Sequence, residues 1–276
     1  VTSGRSPPPK ERDICLPKFE SALLRQFARG FCLAMPLAVL SLPSLAAAQT
    51  APEKPVYARV NSFGIFGAYS NDSSHMVMGT AERRKLVDVG VSYGRRLFLN
   101  HTVDWQYNAE LLPVALESDP LGRLVIRQTS PIVSTSVLPI GPPVTCAPVT
   151  SSYRETLPNG IVIAGTETVS CHGRQWTIGE AMSPVGFQWN FRPSHPWQPF
   201  LIGHGGYMYS TRPIPITGAG SFNFTFDFGA GVELFRAGHQ SVRAEYRYHH
   251  ISNHDTATYN PGIDNGVVQI TYAFGR

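Results

Sequence analysis

Charge is scarce in this sequence. Only 15% of its 276 residues are Asp, Glu, Lys or Arg, and the formal net charge of +4 with a pI near 8.9 describes the whole chain, whose N-terminal part supplies some of the excess. Beyond that part there is no Lys/Arg run or stripe of the kind that tracks a phosphate backbone, which argues against nucleic acid as a partner. Cysteine is sparse too, four in all, with no metal-ligand spacing, so a zinc site and a metal cofactor find no support. No segment after residue 50 shows convincing 3.6-residue periodicity, which speaks against a helical domain. The main apolar run, Phe31 to Leu45, is shorter than the ~20 residues of a spanning helix and is broken by Pro36 and Pro43.

That run instead belongs to an export signal. Arg25 and Arg29 precede it and Ala46, Ala47 and Ala48 follow it, the basic, apolar and small-residue order of a secretory leader. Residues 1–48 are therefore expected to be an N-terminal extension and signal peptide cleaved near Ala48, leaving residues 49–276 as one domain. Cys15 and Cys32 depart with the leader. The remaining pair, Cys146 and Cys171, is a disulfide candidate in an oxidising compartment.

Glycine and aromatics are abundant: 25 Gly and 11% Phe, Trp and Tyr. With so few charges, this suits an all-β protein whose outer face is not in water. Two-residue alternation recurs along the chain. Phe222, Phe224, Phe226, Phe228, Ala230, Val232 and Leu234 alternate with Asn223, Thr225, Asp227, Gly229, Gly231 and Glu233, and similar runs lie near 87–94, 103–111 and 185–191. Weaker runs near 56–69, 197–210, 241–252 and 265–275 bring the expected count to eight. The links near 99–100, 193–196 and 237–240 are short, whereas those near 70–85, 117–178, 211–221 and 253–264 are long. Strict alternation of short and long links favours an eight-stranded antiparallel outer-membrane β-barrel over a soluble sandwich or lipocalin-like barrel. The region 117–178 is expected to be a long loop, with strand-like segments at 160–164 and 167–170 that suggest a hairpin above the barrel.

Chemistry gathers in the last thirty residues. In the run 241–252, Arg243, Glu245, Arg247 and His249 share one face, and Tyr246, Tyr248, His250 and Ser252 share the other. A charge on the lipid face near the midplane costs roughly 2 to 4 kcal/mol, so the Arg/Glu face is the lumen and His250 and Ser252 face lipid at the outer rim. Asp264 shares the parity of Val268, Ile270, Tyr272 and Phe274 in the final run and returns beside His250 if the two runs pair. A serine, a base and a carboxylate gathered on an apolar wall form the logic of a nucleophilic esterase. Taken singly, each has a simpler reading: His250 as an interfacial aromatic, Ser252 and Asn253 as loop-start residues, Asp264 as a turn residue after Pro261 and Gly262. A metal site from His249, His250, His254 and Asp255 is disfavoured because adjacent histidines on a strand point to opposite faces. His204 and Glu233 read as lumen polar groups.

At His250-Ile251-Ser252-Asn253 and the loop Asn260-Pro261-Gly262-Ile263-Asp264, the chain resembles outer-membrane lipid A deacylases of the PagL type. The likeness is strong over roughly the last fifty residues and architectural before them. It implies an eight-stranded barrel that removes the ester-linked acyl chain at the 3 position of lipid A without a metal or other cofactor. Ser252 would be the nucleophile, His250 the general base and Asn253 an oxyanion donor. Asp264 stands where the family has glutamate. The partners implied are lipopolysaccharide of the outer leaflet and the membrane; a homodimer stays open. Two rivals also stay open: a non-enzymatic barrel, adhesive or structural, and a phospholipase-like barrel using the same residues.

Overall fold

The computed structural model describes residues 57–236 and 239–276, so the expected leader and its cleavage point lie outside the described residues. Ten strands follow in chain order: β1 (Asn61–Ser70), β2 (Lys85–Leu99), β3 (Val103–Ser130), β4 (Ser134–Ile140), β5 (Val149–Thr156), β6 (Val162–Phe191), β7 (Trp197–Ser210), β8 (Phe222–Phe235), β9 (Gln240–Ser252) and β10 (Ile263–Gly275). Eight of them close an antiparallel ring in which β1 pairs with β2 and β10, and β3 with both β2 and β6. No helix occurs among the described residues.

The expected long loop at 117–178 is corrected by the structure: β3 and β6 continue past the ring as a paired ribbon, with β4 on the flank of β3 and β5 on the flank of β6. The described residues thus hold ten strands, eight of them in the ring. Bulges in the β3–β6 register, between Tyr107 and Glu110 and between Leu112 and Ala115, let the ribbon bend away. They also change which residues point inward. Asp104, Gln106, Asn108 and Glu110 are buried before the shift between Leu112 and Ala115, and Ala115, Glu117 and Asp119 after it. Cys146, before β5, is disulfide-bonded to Cys171 on β6.

The ring has two unlike surfaces. Outward lie Ile65, Val91, Leu201, Phe228, Leu234, Tyr246, Val268 and Ile270, all exposed. Inward, Arg247 donates to both oxygens of Glu110 at 2.9 and 2.8 Å and to Glu245 at 3.1 Å, and Arg243 donates to Gln188 at 2.6 Å. Arg59, at the short-turn end, donates to Glu233 and to Ser241. Paired and hydrogen-bonded, these charges are tolerable in the barrel interior. At the long-loop end the lumen is closed by an apolar cluster that includes Leu86, Met208, Ile214, Ile251 and Ile263. Arg84 is fully buried there and donates to Asp119, Pro143 O and Pro215 O at 3.0, 2.7 and 2.9 Å. One guanidinium thereby ties the β1–β2 loop to the base of the ribbon and to the β7–β8 loop.

Candidate active site

β9 and β10 run antiparallel with His250 opposite Asp264. Residues directly opposite point to the same face, here the outer wall, because His249 lines an internal cavity with Glu110, Asp227 and Arg247 while His250 lies on the other side of the strand. His250 Nδ1 lies 2.6 Å from Asp264 Oδ1. A carboxylate only accepts, so Nδ1 carries a proton, which in the neutral imidazole leaves the lone pair on Nε2. Ser252, two residues on, has the same parity and is half-buried where β9 ends beside Phe224. Its Oγ makes no hydrogen bond among the described residues, so the hydroxyl is free to turn towards the imidazole.

The outer-wall placement matches the sequence parity, but the wall is not bare. His250 is 6% exposed and Asp264 0%. Phe226 covers one side of the imidazole, ring centroids 5.2 Å apart. The other cover comes from the β1–β2 loop. The N–H groups of Val77 and Met78 each donate to Asp264 Oδ2 at 2.8 Å. On the second oxygen Tyr248 Oη–H donates to Oδ1 at 2.8 Å, beside the His250 contact. Neither the loop nor Tyr248 was singled out from the sequence for this site. A backbone donor leaves no side-chain signature, and Tyr248 reads as one more aromatic of the outer row. The run His75-Met76-Val77-Met78-Gly79, apolar in an otherwise polar loop, was the available signal.

Asn253 sits at the turn after β9, buried. Its Nδ2 donates to Tyr259 O at 2.7 Å, its Oδ1 accepts from Asp255 N at 3.0 Å, and its own N–H donates to Asn260 Oδ1 at 3.1 Å. These bonds fold the 253–260 loop. The second hydrogen of Nδ2 is left for another acceptor. Gly262, at φ 64, ends that loop, and a Cβ there would stand 3.1 Å from His250 Cε1 and 3.3 Å from Gly79 Cα. Its lack of a side chain allows three segments to meet at the imidazole edge.

The histidines expected to diverge do so: His249 turns inward, His250 outward, and His254 stacks edge-on against Phe224 at 6.1 Å. A different cluster, Glu110, His204 and Asp227, brings three ligand atoms within 4.8 Å of one another. The Arg247 guanidinium already lies among them, 2.8 Å from Glu110 and 3.5 Å from Asp227, and supplies the positive charge.

Residues 155–273 match the family model described as lipid A 3-O-deacylase (PagL). The likeness first read from the His250 to Asp264 stretch is thereby shown for the C-terminal part of the chain. The match takes in all of β6 to β9 and most of β10, with every candidate catalytic residue. No curated protein matches the chain in sequence. Among solved structures, the crystal structure of the outer membrane enzyme PagL covers 77% of this chain and 99% of its own, at 13% identity and a TM-score of 0.44. Neisserial surface protein A (NspA) covers 78% and 97%, at 12% identity and a TM-score of 0.39.

Proposed function

We propose that this protein is an outer-membrane lipid A deacylase, a serine esterase that hydrolyses the ester-linked acyl chain at the 3 position. The observation that carries the reading is the 2.6 Å His250–Asp264 contact on the apolar outer wall, within the part of the chain that matches the deacylase family. A polar dyad placed where solubility demands none is a functional signal with a physical cost behind it. A site on the outer wall at the long-loop end suits a substrate that is itself a lipid of the outer leaflet.

The chemistry follows from the residues. His250 Nε2 takes the Ser252 proton as Oγ attacks the ester carbonyl, and Asp264 holds the imidazolium. The tetrahedral oxyanion is met by the free hydrogen of Asn253 Nδ2. Collapse expels the sugar oxygen, which receives the proton from His250, and the acyl group stays on Ser252. Water, deprotonated by the same imidazole, then releases the fatty acid. Base and oxyanion donor are each worth about two to four orders of magnitude in rate. Asp264 is one methylene shorter than glutamate, yet it reaches Nδ1.

Mass spectrometry of lipid A from cells producing the protein tests this. Wild type should remove one hydroxyacyl mass from lipid A, and Ser252→Ala should remove none while heat-modifiable barrel migration persists. Acyl loss from glycerophospholipids alone would make it a phospholipase. Unchanged lipids with wild type would leave the non-enzymatic reading, which one feature favours: the disulfide-braced ribbon beyond the ring, whose flanking strands β4 and β5 are almost wholly exposed.

A further inference from the structure

The β1–β2 loop does more than cover the site. From Ser73 to Ala81 it runs along the start of β10 and the segment before it. Ser73 bridges Asn265, Ser74 N–H donates to Asp264 O at 3.3 Å, Thr80 N–H and Oγ1 both donate to Pro261 O at 2.7 Å, and Ala81 N–H donates to Gly262 O at 3.1 Å. Between these ties the chain passes over Asp264 and gives it two N–H groups. It passes so close that a Cβ on Gly79 would lie 2.6 Å from Asp264 N and 2.9 Å from Asp264 Cγ. Outward, Met76, Val77 and Met78 are exposed, Val77 at 73%.

We infer that residues 76–79 form a positioning strap, which together with Tyr248 fixes the Asp264 carboxylate in the orientation that holds His250. This inference rests on the proposed esterase reading for its kinetic arm alone. An unrestrained aspartate has a two-fold choice at its carboxylate and three staggered wells about χ1. Here Oδ2 is pinned by Val77 and Met78, and Oδ1 receives Tyr248 and His250, so one rotamer satisfies four donors. Charge-assisted bonds of this kind are roughly twice as strong as neutral ones. The apolar side chains on the strap's outer side match the hydrocarbon they would meet, so the strap exposes no charge to lipid. Tyr248 and the strap are positioning elements, since neither touches Nε2 or Ser252.

The test compares Gly79→Ala, Tyr248→Phe and Val77→Ala in the full-length barrel. Two quantities are read on each: kcat and KM for lipid A deacylation, and the downfield Nδ1 proton resonance of His250 in histidine-labelled protein, assigned by its loss in Asp264→Asn. Gly79→Ala should displace the strap, and Tyr248→Phe removes one donor. Each should lower kcat by about 10- to 100-fold, the cost of a misplaced catalytic group, with KM within about threefold, and should broaden or shift the resonance. Val77→Ala keeps its N–H and should keep the resonance. Unchanged kcat and resonance in both Gly79→Ala and Tyr248→Phe would overturn the strap. If Gly79→Ala loses heat-modifiable migration, Tyr248→Phe, which leaves the backbone untouched, decides. If wild type deacylates nothing, the esterase reading falls and the resonance alone judges the strap.

Discussion

Two histidine–aspartate pairs occupy the same barrel, one inside and one outside. Within the lumen His204 Nδ1 meets Asp227 Oδ1 at 2.9 Å; on the outer wall His250 Nδ1 meets Asp264 Oδ1 at 2.6 Å. The near nitrogens are alike, and the far ones are not. His204 Nε2 is bonded to Asn108 Oδ1 at 3.2 Å, and Arg247 lies 3.3 Å from its Nδ1. Every edge of that ring is committed to holding strands together. His250 Nε2 has no such partner among the described residues, and two residues away a serine shares its face. A histidine–carboxylate contact therefore marks a structural tie or a catalytic base according to what the second nitrogen is left free to do.

The sharpest way to break this comparison is to treat both histidines alike. His250→Asn should lower ester release by at least about 10⁴, as loss of a base in a nucleophilic site does. His204→Asn should leave ester release within about threefold and instead cost about 1–3 kcal/mol, through the unpaired Asp227 and Asn108 groups. Deacylation rates and urea-dependent heat-modifiability on the two variants read both effects. Equal losses of activity would mean that the inner pair is wired to the site.

The carboxylates give the next largest contrast. Asp264→Asn leaves the shape but, to keep a bond with the imidazole, favours the tautomer with the proton on Nε2, so ester release should fall about 10³- to 10⁴-fold. Asp227→Asn removes a charge facing His204 and Arg247, with Glu110 and Glu245 remaining on the guanidinium. It should cost about 1–3 kcal/mol of stability and leave ester release within a fewfold range. Asp264→Glu separates reach from charge: if the strap fixes the shorter acid, the longer one is displaced and gains nothing in rate.

The outer pair was legible because a barrel wall makes parity expensive to violate. Arg243, Glu245, Arg247 and His249 could only be lumen residues, which sent His250 to the other wall, and Asp264 joined it through the parity of Val268 and Ile270. The ribbon was illegible for the opposite reason. The bulge of β3 between Leu112 and Ala115 moves the inward set from Asn108 and Glu110 to Glu117 and Asp119, so no single alternation runs through the strand, and β4, exposed on both faces, has no buried side to announce it. The strap escaped notice because what it gives Asp264 is main chain. Asn253 shows a further limit: the family resemblance implied an oxyanion donor, but nothing in the sequence showed that three of its bonds fold its own loop and leave one Nδ2 hydrogen for that role.

The smallest expected effect on ester release concerns the ribbon, which lies outside the ring that holds both pairs. Breaking its crosslink with Cys146→Ser and Cys171→Ser releases a segment closed over a sequence separation of 25, worth about 3 kcal/mol in the chain-entropy account. That loss should stay local. The base of the ribbon keeps the Arg84 ties to Asp119, Pro143 and Pro215, and β3 and β6 keep their ladder within the ring. Limited proteolysis should therefore cut between 131 and 161 faster in the double variant, while heat-modifiable migration and ester release stay as in wild type. A fall in ester release would show that the ribbon reaches the outer wall, because nothing within the ring would have changed.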